Sequence, residues 1–200
     1  MIVIGVCGSS GSGKGYICKK LQKYGAFHID TDKVYRDIAT AQSPCVNELS
    51  RYFGEEILDS EGNLDRRELS KKVFEGENAE GNLKMLNSIA HKYIRIETER
   101  ILEENENNGV KVSLVDAPVL FESGFDNLCD YTLCVTAPLE KKIERIVKRD
   151  GITEEKARAR LASQKTDDEL RRLCKFEIIN DDINDMDAKA LELLRTLGVI

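Results

Sequence analysis

The run Val3-Ile4-Gly5-Val6-Cys7-Gly8-Ser9-Ser10-Gly11-Ser12-Gly13-Lys14 decides how the remainder of the chain is read. Its first half is apolar, β-branched and too short for a free-standing helix, which predicts a buried strand. The strand empties into a Gly/Ser loop with the spacing G-x-x-x-x-G-K, in which Gly8, Gly13 and Lys14 hold the fixed positions. Glycines let successive backbone N–H groups curl around phosphate oxygens, the following helix presents its positive end, and the lysine ammonium reaches the terminal phosphates. The stretch therefore predicts a nucleoside triphosphate site. A flexible turn with an accidental lysine is the competing reading, and the amphipathic run carrying Ile17 and Leu21 weighs against it. Gly15 departs from the pattern, standing where a serine or threonine hydroxyl ordinarily meets magnesium.

Working outward, a helix over residues 13–24 stops at Gly25, and 26–29 reads as a second strand ending in Asp30-Thr31-Asp32. Strand, helix and strand at this length imply a parallel crossover. Both carboxylates then lie at the carboxyl edge of the sheet, where open α/β folds hold their ligands. Either aspartate can simply cap the next helix, or one accepts a hydroxyl proton or organises metal-bound water. Arg36, one turn beyond Asp32, faces the same cleft or faces solvent.

The middle of the chain reads as all helical. Ser43-Pro44 opens a helix that Gly54 ends, 58–63 is a turn, and Asp65-x-x-Glu68 predicts a capping box for a short helix through residue 74. Leu83, Leu86, Ala90, Tyr93 and Ile101 recur near helical spacing and predict one long helix over 79–104. This segment is a candidate acceptor-binding lobe. His91 and Arg95 share one face of it, as a solvated pair or as ligands.

A third strand over 110–115 ends in Asp116-Ala117-Pro118, so Asp116 either sits by a magnesium ion or caps a turn. Leu120, Phe121 and Phe125 are expected to pack nearby, and Glu122 is a surface charge or a cleft residue. Residues 131–135 form a fourth strand, and Pro138 starts a helix through residue 149. Arg145, Arg149, Arg158 and Arg160 then fall on two helices joined by Asp150-Gly151, either solvated or forming a mobile lid that brings cations to a transferring phosphoryl group. Thr166-x-x-Glu169 caps a further helix, 176–179 is a fifth strand, and 188–197 closes the chain as an amphipathic helix.

Composition is compatible with this reading. In 200 residues, 41% hydrophobic and 33% charged side chains suffice for one packed core with a small inserted or mobile part. The net charge of −6 argues against a general nucleic-acid binder, which needs a basic surplus to displace counterions. No charged-then-apolar leader precedes the first strand and no apolar run approaches a membrane span, so a cytoplasmic protein is expected. Cys7, Cys18, Cys45, Cys129, Cys134 and Cys174 are scattered without metal or redox spacing, which predicts buried reduced thiols.

Taken in order, the motifs resemble the dephospho-coenzyme A kinase family over nearly the whole chain. The resemblance rests on G-S-S-G-S-G-K, on Ile29-Asp30-Thr31-Asp32 with Arg36, on D-A-P-V-L-F-E-S-G from Asp116 to Gly124, and on V-T-A-P from Val135 to Pro138. Most specific is R-D-G-I-T-E-E-K-A-R-A-R-L-A-S-Q from Arg149 to Gln164. It implies transfer of the γ-phosphoryl group of ATP, with Mg2+, to the ribose 3′-hydroxyl of dephospho-coenzyme A. It also implies an α/β P-loop kinase fold: a five-stranded parallel sheet flanked by helices, with core 1–40, 105–148 and 174–200, a helical substrate-binding lobe at about 41–104 and a mobile lid at about 149–173.

By the same resemblance Asp32 is the base, Lys14 the phosphate clamp, and Arg145, Arg149 and Arg160 the lid cations. ATP is expected at Gly8, Ser9, Ser10, Gly11, Ser12, Gly13, Lys14, Gly15, Tyr16 and Asn180. The acceptor is expected at Asp32, Arg36, His91, Arg95, Asp116, Pro118, Leu120 and Glu122, with Asp116 reaching the metal through water. A monomer or weak homo-oligomer is expected. Gly15 and Tyr16 replace the family's usual hydroxyl pair, and His91-Lys92 replaces its usual His-Pro. Gly15 keeps open a nucleotide-binding protein with reduced or lost turnover, and the helical lobe, whose sequence names no acceptor, keeps open a kinase for another nucleoside or small alcohol.

Overall fold

The computed structural model describes residues 1–181 and 185–200. Chain order is β1 (Ile2–Cys7), α1 (Lys14–Gln22), β2 (Phe27–Asp30), α2 (Thr31–Ile38), α3 (Pro44–Phe53), α4 (Arg66–Phe74), α5 (Ala79–Asn107), β3 (Val112–Asp116), β4 (Tyr131–Thr136), α6 (Leu139–Asp150), α7 (Glu154–Ala162), α8 (Asp167–Leu173), β5 (Phe176–Ile179) and α9 (Met186–Thr196). Two units emerge, one of residues Met1–Asp30 with Leu102–Ile200 and one of Thr31–Ile101.

The first unit carries a five-stranded sheet in the order β2-β3-β1-β4-β5, with every described pairing parallel. β1 lies at its centre and is buried beyond Ile2, as its uninterrupted apolar run requires when helices cover both faces. Ile4 and Val6 project into a cluster with Ile17, Cys18 and Leu21 of α1 and with Ala190, Leu193 and Leu194 of α9. The period-2 alternation of the strand thus selects which residues meet these two helices. The strand order reverses direction about β1, so the loop leaving its carboxyl end opens at the switch point where such sheets bind ligands.

α6 and α7 form a helical pair closed by Ile143, Ile146 and Ala157, and Gly151 makes the turn in the left-handed region at φ 64°. Thr166 and Glu169 form the expected reciprocal capping box at the start of α8. In the second unit, Cys45, Leu49 and Phe53 of α3 pack with Ile57, Leu69, Val73 and Ile89. Ser43 accepts from the Val46 amide, and Asp65 accepts from the amides of Arg67 and Glu68.

The expected elements form with shifted ends. α5 runs on to Asn107, and the third strand begins at Val112 rather than 110. Single 3-10 turns at Glu55–Ile57 and Phe125–Leu128 carry no periodic signal and were not anticipated. The helical unit spans Thr31–Ile101, and Tyr35 of α2 packs against its apolar cluster. Residues 182–184 of the expected core segment 174–200 lie outside the described residues.

Candidate active site

The loop between β1 and α1 takes its shape from glycine. Gly11 and Gly13 adopt φ of 76° and 88°, a region that side chains rarely enter. A Cβ on Gly8 would stand 2.5 Å from the Val135 carbonyl oxygen, and one on Gly13 would collide with the Asn180 amide. The amides of Lys14 and Gly15 open α1 with no intrahelical acceptor, and the helix has no acidic residue in its first turn. Such an end attracts anions.

Side chains from distant segments hold this loop. Arg145 of α6 donates to the carbonyl oxygens of Gly11 at 3.1 Å, Ser12 at 3.3 Å and Asn180 at 3.1 Å. The buried Asn180 amide donates to the Ser12 carbonyl at 2.9 Å. Lys142, also buried, donates to Ser9 Oγ at 3.2 Å and pairs with Asp167 at 2.8 Å. Gln164 accepts from the Ser10 amide at 2.9 Å and donates to Ser10 Oγ at 3.1 Å. A cavity of about 500 Å³ lies beside the loop, lined by Gly13, Tyr16, Lys20, Arg145, Asn180, Asp185, Met186 and Asp187.

Lys14 forms an ion pair with Asp116 at the end of β3, and His28 Nε2 lies 3.0 Å from the other carboxylate oxygen. Burial pushes the Asp116 carboxyl up, but its hydrogen bond with His28 and the charge of Lys14 outweigh this and hold it below the usual range. Beside it, burial and then the Asp116 charge push the Cys18 thiol well above its ordinary value. A lysine on this loop, paired with a carboxylate held ionised, is equipped to exchange that partner for a phosphate group.

The comparisons with known proteins agree with this geometry. The family model described as dephospho-CoA kinase matches residues 2–185. The chain belongs to the dephospho-CoA kinase family. Membership makes it a kinase that phosphorylates dephospho-CoA at the expense of ATP. It is similar to the dephospho-CoA kinase of Corynebacterium glutamicum, at 36% identity over 97% of this chain and 96% of that one. The dephospho-CoA kinase of Fusobacterium nucleatum is 34% identical, with 98% and 99% covered. Among solved structures, a protein from Thermus thermophilus superposes with a TM-score of 0.78 at 29% identity, covering 98% of this chain and 97% of that one. A shikimate kinase from Acinetobacter baumannii shares the fold at a TM-score of 0.51 and 16% identity, covering 99% and 93%.

Among the residues that the family resemblance points to, Lys14, Arg145 and Asn180 meet at the loop. Arg149 and Arg160 meet each other instead, both pairing with Asp150 and holding its carboxyl well below the usual range. Glu122 is paired with Lys165 at 2.9 Å, and Pro118 is exposed. Leu120 is a core residue, 1% exposed and packed where a Gly5 side chain would stand, so the structure gives it a packing role. In the helical unit, Asp32 is exposed in the first turn of α2 with Arg36 in its last. His91 and Arg95 lie on α5, where burial lowers the His91 pKa and Arg95 pairs with Glu99 at 2.9 Å.

Sequence reading did not single out Lys142, Gln164 or Asp167 for the loop, nor His28 and Cys18 beside Asp116. Lys142 carried one available signal: it lies on the same helical face as Ile146, whose side chain is wholly buried.

Proposed function

We propose that this kinase transfers the γ-phosphoryl group of ATP to the ribose 3′-hydroxyl of dephospho-CoA, with Lys14 clamping the phosphates and Asp32 accepting the hydroxyl proton. The observation that carries the reading is the Lys14–Asp116 pair at a glycine-shaped loop whose carbonyls Arg145 already grips. ATP phosphates would lie against the amides of residues 8–16, with the adenosine end in the cavity bordered by Asn180 and Tyr16. Asp32 would draw the proton as the oxygen attacks, and Arg145, Arg149 and Arg160 would offset the charge on the transferring group. The last two must leave Asp150 to do so, which is the motion expected of a lid over about 149–173. Arg36, His91, Arg95, Pro118 and Glu122 remain the proposed acceptor contacts.

Mg2+ fits the residues present. The Asp116 carboxylate is held ionised, and a Cβ on Gly15 would meet nothing within 4 Å, so room is left where the usual hydroxyl would stand. Asp116 would hold the ion through water, and the ion would neutralise the phosphate oxygens. No helix among the described residues is long and apolar enough to cross a membrane. The proposed setting is the cytoplasm, with the enzyme acting on small molecules as a monomer or weak homo-oligomer.

The test is ADP release from Mg-ATP with and without dephospho-CoA, with the position of the new phosphate fixed by mass and fragmentation. Acceptor-dependent ADP and a 3′-phosphate are expected. ADP release that ignores the acceptor, or transfer to a different hydroxyl, overturns the reading.

A further inference from the structure

Three elements of the sheet unit deliver a thiol, an imidazole and a carboxylate to one point. Cys18 lies one turn after Lys14 on α1, His28 lies on β2, and Asp116 ends β3. Their ligand atoms all lie within 4.8 Å of one another, the only such three-ligand group among the described residues. Cys18 Sγ is 3.8 Å and His28 Nε2 is 3.0 Å from the same oxygen, Asp116 Oδ2, while Oδ1 is engaged by Lys14. A tetrahedral zinc ion with Zn–S of about 2.3 Å, Zn–N of about 2.0 Å and Zn–O of about 2.1 Å sets its ligands roughly 3.3–3.6 Å apart. The observed separations bracket that spacing, so small side-chain movements suffice to close the site around an ion.

The chemistry of the donors narrows the ion. Magnesium and calcium select oxygen ligands, whereas a thiolate with an imidazole selects zinc-class transition metals. The carboxylates of Asp116 and Asp30, paired in register, bring negative charge to this point, and the Lys14 ammonium on Asp116 Oδ1 offsets part of it. Cys18 is wholly buried, while the His28 side chain retains 17% exposure and gives the point an open side. We propose that Cys18, His28 and Asp116 form a three-ligand site for a zinc-class divalent metal beside the phosphate loop, with a fourth position left to water. On binding, the Cys18 thiol gives up its proton to solvent, and the ion takes the charge of Asp116 that now pairs with Lys14. The site shares Asp116 with the magnesium of the proposed kinase reaction, so the two ions would compete for that carboxylate, while Cys18 and His28 belong to this site alone.

The experiment is a titration of the reduced, chelator-stripped chain with Co2+ alone, followed by absorption. One equivalent is expected to bind, with tetrahedral ligand-field bands and a near-ultraviolet thiolate-to-cobalt charge-transfer band. Cys18→Ala removes the charge-transfer band, and His28→Gln weakens Co2+ binding by about tenfold or more. Cys174→Ala, at a sulfur 3.4 Å from Cys7 and remote in sequence from the site, leaves the band intact. Thermal unfolding of the metal-free variants establishes that they are folded; should Cys18→Ala fail to fold, the partly exposed His28 carries the test. A wild-type spectrum without the thiolate band, a band that survives Cys18→Ala or vanishes in Cys174→Ala, or unchanged affinity in His28→Gln overturns the site.

Discussion

Around the phosphate loop, buried charges and backbone carbonyls set the geometry; inside the helical unit 31–101, apolar contact does. Lys142, Arg145 and Asn180 each satisfy polar groups of a segment far away in sequence. The ion pairs of the helical unit, such as Lys72–Glu56 and Lys92–Glu48, lie at its surface, over an interior of Leu49, Phe53, Ile57 and Val73. Buried polar contacts fix atoms in direction as well as distance, and their loss strands a charge or a carbonyl. Apolar contacts fix only volume and tolerate repacking. The chain thus concentrates its directional contacts at the loop proposed to hold the phosphates, where transfer would demand alignment, and leaves the helical unit to be held by volume.

The largest expected effects break the directional side. Asp32→Asn is expected to lower kcat by about 10²–10⁴-fold while ATP affinity is retained, as read by steady-state kinetics beside nucleotide titration. Retained kcat would remove Asp32 from the base role. Lys142→Met, which leaves Asp167 without its buried partner, is expected to cost about 3–5 kcal/mol in urea unfolding and to weaken ATP binding with it. Leu49→Ala probes the other side. It is expected to cost about 2–5 kcal/mol, yet to raise KM for dephospho-CoA more than KM for ATP in the folded fraction. Equal effects on both substrates would erase the proposed division of labour.

Smaller effects sharpen the comparison. Because the folded Asp116 pKa lies below its unfolded value, its ionised form adds stability above about pH 4 that disappears as pH falls through the depressed value. Asp116→Asn is therefore expected to flatten the loss of stability in acid, measured by urea midpoints from about pH 6 to about pH 3. The smallest change is Gly15→Ser, whose new Cβ enters open space. It is expected to shift kcat or the Mg2+ requirement by less than about tenfold with little change in melting temperature.

Much of this was legible in the residues because its causes are local. The apolar run ending at Cys7, the G-x-x-x-x-G-K spacing, the Ser43 and Thr166 caps and the Gly54 and Gly151 stops each act within a few residues of themselves. The arginines show where that legibility ends. Arg145, Arg149 and Arg160 read alike as helix charges, yet only the first grips the loop carbonyls while the other two converge on Asp150. Leu120 reads as an acceptor contact and lies in the core, because it sits in the turn over 118–124, which carries no periodic signal to fix its direction.

Local pattern alone determined the strand-loop-helix around G-x-x-x-x-G-K, the alternation of strands and helices that makes the sheet parallel, and the ordered motifs that mark the family. Only the tertiary structure decided which partners reach that loop. Strand order places β3 beside β1, so Asp116 arrives at Lys14, and β2 beside β3, so His28 arrives at Asp116, although 102 and 88 positions separate these pairs along the chain. Propensity and spacing act over a turn or two of chain, whereas a pairing between distant side chains depends on how the whole sheet is ordered.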